Sequence, residues 1–346
     1  MKDATTDGSG EEFVRRKGER KKSTGAPTEP FERPLPTESG SRADVGAGRK
    51  RRVLVPIDGS DPSLKAVEHA CAAYSNADVT VLHVFKSSSA DARQSSTGEG
   101  SDDFQESRRA QRRERGRSVE RMFDEARGVA AEYDVELVTE TATGDATRGI
   151  IAYAEERAFD HIVIGSHGRS GFTRVLLGSV AEGVLRRATV PVTVVPTRGE
   201  ADGRVEVSHV FIPVDASTMA TVPLTYTAEM FPRAKCTVAY LIDPAEGYVE
   251  TEGQSRHRAE RWQEKTKRRM ERALKDARRV SERGVDCSTT TLLGTPPRAV
   301  VLYAEEHDVD HIVVRRRGRT RLARIRPDGV STSIARRSPV PVTVIN

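Results

Sequence analysis

Residues 160–180 read DHIVIGSHGRSGFTRVLLGSV. A short apolar run follows Asp160, as in a strand covered on both faces. A loop then carries Gly165, Gly168 and Gly178-Ser179 at fixed offsets, and an amphipathic segment runs from Ser179 to Arg187. Strand, glycine loop and helix start are the parts of a phosphate cradle. Glycine lets backbone N–H groups turn toward an anion with no Cβ in the way, and a helix N-terminus adds a favourable partial charge. The spacing G-x2-G-x9-G-[ST] is neither the dinucleotide fingerprint nor the P-loop, so neither label applies.

Outward from this stretch the chain repeats itself. Asp160-His161-Ile162-Val163 returns as Asp310-His311-Ile312-Val313, 150 residues on. Gly144 and Gly294, Gly168 and Gly318, and Pro191 and Pro341 keep that offset. The closing phrases are VPVTVV and VPVTVI, and VPIDGS (55–60) matches IPVDAS (212–217). So long a period means two domains of one fold. The first unit predicts strands at 52–57, 79–84, 135–139, 160–164 and 191–195, and helices at 61–75, about 107–132, 146–158 and 179–187. Ser60 and Ser179 read as N-caps, and Pro62 suits a first helical turn. Alternating β and α without hairpin signals predicts a doubly wound α/β sheet, whose ligands bind beyond the strand C-termini where the strand order reverses. Asp58, Val84, Gly144 and the 165–179 loop all fall at such ends.

The flanks differ in character. Residues 1–48 are polar, with almost no aliphatics, and predict a disordered tail; 86–105 predicts a flexible loop and 198–205 a linker between domains at 49–197 and 206–346. The chain has 346 residues, 36% hydrophobic and 31% charged, with no run of eighteen apolar residues and no apolar leader. These features predict a cytoplasmic protein without a membrane span. Cys71, Cys236 and Cys287 form no C-x-x-C pair and read as buried free thiols. The net charge of +5 concentrates in the tail and in Arg315–Arg326. Aromatics, at 5%, do not interleave with the arginines, so no base-stacking platform is visible. There is no H-E-x-x-H, no Cys/His metal cluster, no G-x-S-x-G and no Walker lysine, and no metal is expected on protein side chains alone.

VPIDGS at the first strand end, GSHGRSGFTRVLLGS at the fourth and the closing VPVTVV together resemble the universal stress protein family. The resemblance covers about 50–197 and, more weakly, 206–346, and looks like a tandem member. It implies two flavodoxin-like (Rossmann-like) domains, each a five-stranded parallel sheet of order 3-2-1-4-5 with helices on both faces. It also implies pairing through the last strand, which the two halves can satisfy internally, with further homodimerisation left open. The G-x2-G-x9-G-[ST] pattern is that of the family's ATP-binding branch.

The roles the resemblance carries over are specific. Asp58 would meet the ribose hydroxyls, or else cap the helix from 61. Val84 would offer backbone to the adenine edge, or be an ordinary core valine. Gly144 would lie near ribose and phosphates, or simply make a turn. Gly165, Gly168 and Gly178 would let backbone close on the triphosphate. Ser179 would give its hydroxyl to a phosphate or to ATP-bound Mg²⁺, and Val180 a backbone N–H. His167 and Arg169 would add charge, or stay solvated. His161 and His311 read as structural.

The second half departs from this pattern: Arg315, Arg317, Asp328 and Gly329 stand where the first has Gly165, His167, Gly178 and Ser179. It reads as a degenerate copy without ATP. The expectation is therefore a stress-response module regulated by ATP bound in the first half, its protein partners unidentified, and not an enzyme beyond slow hydrolysis or autophosphorylation. The alternatives are a slow ATPase, or a nucleotide-independent scaffold or nucleic-acid-associated protein using the tail and Arg315–Arg326.

Overall fold

Five strands of the first half form in the order the apolar runs dictate. They are β2 (Arg52–Pro56), β3 (Asp78–Phe85), β4 (Leu137–Thr143), β5 (His161–Gly165) and β6 (Val192–Val195). A computed structural model describes residues 33–34, 50–86, 102–167, 177–197, 206–214, 220–243, 256–281, 286–316 and 329–345. The helices between these strands are α1 (Asp61–Ala73), α2 (Asp102–Ala131), α3 (Ala146–Glu156) and α4 (Ser179–Arg187). The second half repeats them as β7 (His209–Val214), α5 (Thr221–Met230), β8 (Lys235–Ile242), α6 (Arg256–Ser281), β9 (Cys287–Leu293), α7 (Pro296–Glu306), β10 (His311–Arg315), α8 (Val330–Arg337) and β11 (Val342–Ile345).

Within each half the strand order is 3-2-1-4-5, all parallel, as expected. The halves join where β6 pairs antiparallel with β11, in register Thr193↔Thr343, and both lie within one compact unit, Phe31–Asn346. One apolar cluster on one sheet face gathers residues of α1, α2 and α5 (Val67, Phe123, Leu224). The other face gathers α3, α4, α7 and α8 (Ile150, Val184, Val300, Ile334). Both clusters run through the two halves, so each buried strand is apolar on both sides.

Two expectations need correction. Within the tail expected to be disordered, Arg33–Pro34 forms a short strand, β1, antiparallel to β9. It pairs with edge backbone that would otherwise lack a partner. The expected loop 86–105 is shorter at its far end, because α2 already begins at Asp102. The rest of that loop and the linker 198–205 lie outside the described residues.

The repeated Asp-His-Ile-Val has a structural reason. Asp160 accepts from the Arg52 N–H (2.9 Å), and Asp310 from the Ser208 and His209 N–H groups (3.0 and 2.8 Å), locking the starts of neighbouring strands. Each histidine then reaches the threonine on the next strand, His161 Nε2 to Thr193 Oγ1 and His311 Nε2 to Thr343 Oγ1, both at 2.7 Å. The two threonine hydroxyls meet at 2.6 Å across the seam. The helices cross over to complete the cluster. Tyr226 of the second half brings its hydroxyl to 3.1 Å from His161 Nδ1, while His69 of the first half stacks on His311 with centroids 5.4 Å apart. Burial holds these imidazoles neutral: His69 is pushed down to about 4, His161 to about 3, and His311 well below its ordinary value.

Candidate functional site

The strand order reverses between β2 and β5, and the crevice beyond their C-terminal ends is where such a sheet takes a ligand. Asp58 follows β2. Its Oδ1 accepts from the Ser60 N–H (3.1 Å) and hydroxyl (2.5 Å), a turn that leads into α1. Ser60 is the N-cap as expected, but its hydroxyl serves Asp58 and makes no capping bond. These bonds form a turn just ahead of α1; the helix cap itself is Ser60 and not Asp58.

Val84 lies near the end of β3, and its Cγ1 would be 3.1 Å from a Cβ on Gly149 of α3, so its side chain is committed to packing and its backbone alone is left for a ligand. Gly144 has φ +143°, where a side chain would be strained, and nothing would meet its Cβ within 4 Å. Gly294 of the second half has φ +141°. The turn explains both glycines, because the half without the phosphate motif builds it as well.

Gly165 closes β5, and a Cβ there would meet the Pro62 carbonyl oxygen at 2.4 Å. Close approach of α1 to the strand requires glycine here, independently of any ligand. The chain passes on through Ser166, whose carbonyl accepts from the Gly178 N–H at 2.7 Å and so pins the start of α4 to the end of β5. Gly178 is the N-cap of α4, in extended backbone and without a side-chain cap, and the Glu182 N–H closes the first turn on its carbonyl at 2.8 Å. This corrects the expectation that Ser179 caps the helix. Ser179 is the first helical residue and Val180 the second, so the capping duty that would have engaged the Ser179 hydroxyl falls to a residue with none. Gly168 and Arg169 lie outside the described residues.

His167 stands at the mouth. Its Nδ1 is 3.0 Å from the Ser166 hydroxyl, which is also 3.1 Å from Thr197 Oγ1. Its Nε2 is buried with no hydrogen-bond partner among the described residues, and burial lowers its pKa. When Ser166 donates to Nδ1, the proton of the neutral ring sits on Nε2, a buried donor with nothing to meet. An orphan donor, a helix start without a side-chain cap and a hydroxyl in its first turn form an anion-seeking donor set, which fits a phosphate.

The corresponding corner of the second half is built differently. Arg315 ends β10, and the next residue, Arg316, turns into the seam. Its guanidinium donates to the carbonyls of Leu185 (3.2 Å), Arg186 (2.6 Å) and Ala188 (2.8 Å), closing the C-terminus of α4 in the first half. Arg336 adds an ion pair to Glu182 at 3.3 Å. From the sequence, Arg316 belongs to a charged run read as a solvated or salt-bridged face or as an anion surface, and its bonds to the carbonyls of α4 were missed. The signal was its position one residue past a strand end at the seam. The Tyr226–His161 contact was missed too, because it joins residues of different halves.

Among the described residues no group of three or more His, Cys, Asp or Glu could hold a metal, and no helix is long and apolar enough to cross a membrane. All three cysteines are free and buried.

The model of the universal stress protein family matches residues 50–196 and again 206–346. Universal stress protein MJ0531 of Methanocaldococcus jannaschii is 34% identical over 153 residues, 43% of this chain and 84% of its own. A crystal structure of a universal stress protein from Archaeoglobus fulgidus superposes with a TM-score of 0.59 at 21% identity, covering 85% of this chain and 98% of that one, a likeness of fold. Another universal stress protein, solved in complex with cAMP, is 26% identical over 42% of this chain and 96% of its own, with a TM-score of 0.31. With both halves matched over nearly their whole length and joined as one sheet, the chain belongs to the universal stress protein family as a tandem of two such domains.

Proposed function

We propose that the first half binds an adenine nucleotide, ATP with its Mg²⁺, and that occupancy biases how the protein meets its partners. The observation that carries this reading is the Nε2 of His167, buried and without a hydrogen-bond partner among the described residues, beside the start of α4, whose cap is a glycine. A phosphate would satisfy both at once. Gly165 and Gly178 would line the approach, the Ser179 hydroxyl would face a phosphate or the bound Mg²⁺, and the Val180 N–H would add a donor. Asp58, Val84 and Gly144 mark the nucleoside side at the neighbouring strand ends. The triphosphate supplies charge that these donors hold, and no residue here is assigned to hydrolyse it. A switch of this kind needs different affinity for two conformations.

The test is a thermal melt of the full chain with Mg-ATP. Millimolar nucleotide is expected to raise the melting temperature, as any ligand of the native state does. His167→Ala should weaken binding about 10-fold, the worth of one hydrogen bond. Gly178→Asp, which copies Asp328 of the second half, should abolish the response by repelling phosphate from the helix start. A wild-type chain that melts at the same temperature with and without nucleotide, and binds none in a calorimeter, would refute the reading.

A further inference from the structure

We propose that the outward face of α6 is a docking ridge for the phosphate backbone of duplex nucleic acid. The sequence of α6 carries eleven Lys and Arg against four Asp and Glu. Their arrangement is what matters. Met270 packs against the core, and its sulfur lies 3.8 Å from the Thr291 hydroxyl, which fixes the inward side of the helix. Directly opposite runs the series Arg261, Lys265, Arg268, Arg272, Lys275 and Arg279, at alternating steps of four and three. That spacing keeps side chains on one face, and all six are exposed. At about 1.5 Å per residue they form a straight row about 27 Å long, every member cationic. Glu264 and Glu271 lie to one side of it; the exposed Glu264–Arg268 pair, at 2.8 Å, is of the kind that yields readily to a better anion.

The first half supplies a control within the same molecule. In α2, Val119, Phe123 and Ala126 fix the inward side, and the opposite row, with the same spacing, reads Ala110, Glu114, Arg117, Arg121, Asp124 and Gly128, all exposed. Two cations there are balanced by two anions. One architecture thus carries a neutral ridge in one half and six aligned cations in the other. The fold itself does not require the cations.

A duplex is the occupant this row fits. It presents one charge per about 3.4 Å of axis on each strand, so a rigid line of cations can follow one backbone. The ridge holds no aromatic residue on which unpaired bases could stack. Met270, on the side of α6 away from the row, packs against the core, and the row itself carries no apolar residue to insert into a bilayer. Contacts of this type are independent of sequence. The inference does not depend on the nucleotide reading of the first half.

The experiment is fluorescence anisotropy of a labelled random-sequence DNA duplex of 30 base pairs with the full chain, over a series of NaCl concentrations. Micromolar binding at low salt is expected, with log K falling against log salt at a slope of about −5 if all six cations engage. Arg268→Glu, Arg272→Glu and Lys275→Glu together should weaken binding at least 100-fold and bring the slope to about −3 or shallower, with an unchanged melt showing that the fold survives. The matched variant on α2, Arg113→Glu, Arg117→Glu and Arg121→Glu, should stay within about twofold of wild type. Binding that survives the α6 reversals, or falls equally with the α2 reversals, overturns the proposal. So does capture by vesicles containing phosphatidylserine in the absence of any duplex binding.

Discussion

At the end of β5 the chain continues Gly165-Ser166-His167; at the same point of the second half it continues Arg315-Arg316-Arg317. The two strands are superposable parts of one fold, each flanked by the first and last strands of its own half. In the first, a glycine lets α1 come close, a serine carbonyl pins the start of α4, and a histidine is left with a buried nitrogen unsatisfied. In the second, Arg316 uses its guanidinium to finish the other end of that same α4. One corner is arranged around donors that lack a partner, and the other spends its donors on the seam. The same place in the two copies of one fold is thus put to different uses. Four measurements test this contrast.

The largest effect belongs to the seam, where the halves still resemble each other most. His161 and His311 are buried and His69 half-buried; desolvation keeps all three neutral, each held below its unfolded value of 6.5. The stability they lend is complete above pH 6.5 and is lost as the pH falls toward about 4 for His69 and about 3 for His161. His69 and His161 together should cost on the order of 5 kcal/mol by pH 4. The groups facing them are Tyr74, Tyr226, Thr193 and Thr343, with Arg51 lowering His161 further through its charge. Melts between pH 7.5 and 4.5 should therefore show one cooperative transition that moves steeply downward. His69→Phe should flatten that slope while leaving stability at pH 7.5 nearly intact, because the His69 Nε2 has no hydrogen-bond partner among the described residues. Two separate transitions would mean that the seam does not couple the halves.

Next comes the glycine contrast. Gly165→Ala puts a methyl 2.4 Å from the Pro62 carbonyl oxygen, a backbone atom that cannot step aside, and should cost about 3 kcal/mol. Arg315→Ala at the matching position already has a Cβ and should cost well under 1 kcal/mol by chemical denaturation. Equal costs would show that the two strand ends are packed alike and that the difference in sequence is idle. Arg316→Ala, the third measurement, leaves three carbonyls at the end of α4 without their charged donor, and about 2 kcal/mol should be lost. Ser166→Ala, its counterpart, should cost less than half as much.

The fold was largely legible because the signals for it are local and repeated. Short apolar runs with glycine and proline between them placed the five strands of the first half, the constant offset implied their repetition in the second, and the resemblance to the family supplied the strand order and the pairing through the last strands that β6 and β11 make. The site was legible only as a set of strand ends. Spacing alone could not tell that Gly165 answers to Pro62, since the two residues are about a hundred positions apart and meet only once α1 packs on β5. Nor could it tell that Gly178, and not Ser179, caps α4, which depends on where the Ser166 carbonyl falls. The buried cluster stayed hidden for the same reason. His161 and His311 read as structural from their repeated setting, but His69 and Tyr226 join them from two other elements, and nothing in the neighbours of those two along the chain distinguishes them from solvated polar residues.

The smallest effect concerns the one place where the seam departs from its own symmetry. His161 Nδ1 receives the Tyr226 hydroxyl at 3.1 Å, whereas His311 Nδ1 is buried without a hydrogen-bond partner among the described residues and faces the ring of His69, which occupies the place in α1 that Tyr226 occupies in α5. His69→Tyr gives the second imidazole what the first already has. A hydroxyl reaching His311 Nδ1 satisfies an orphan acceptor and removes a buried ionisable ring, and should add about 1 kcal/mol at pH 7. For a chain of this size that is a rise of about 2 °C in melting temperature. The gain should grow as the pH is lowered, because the variant has one fewer imidazole to protonate. A variant less stable than wild type at every pH would show that His69 is held for its shape against His311, and that the two sides of the seam are packed too differently to exchange parts.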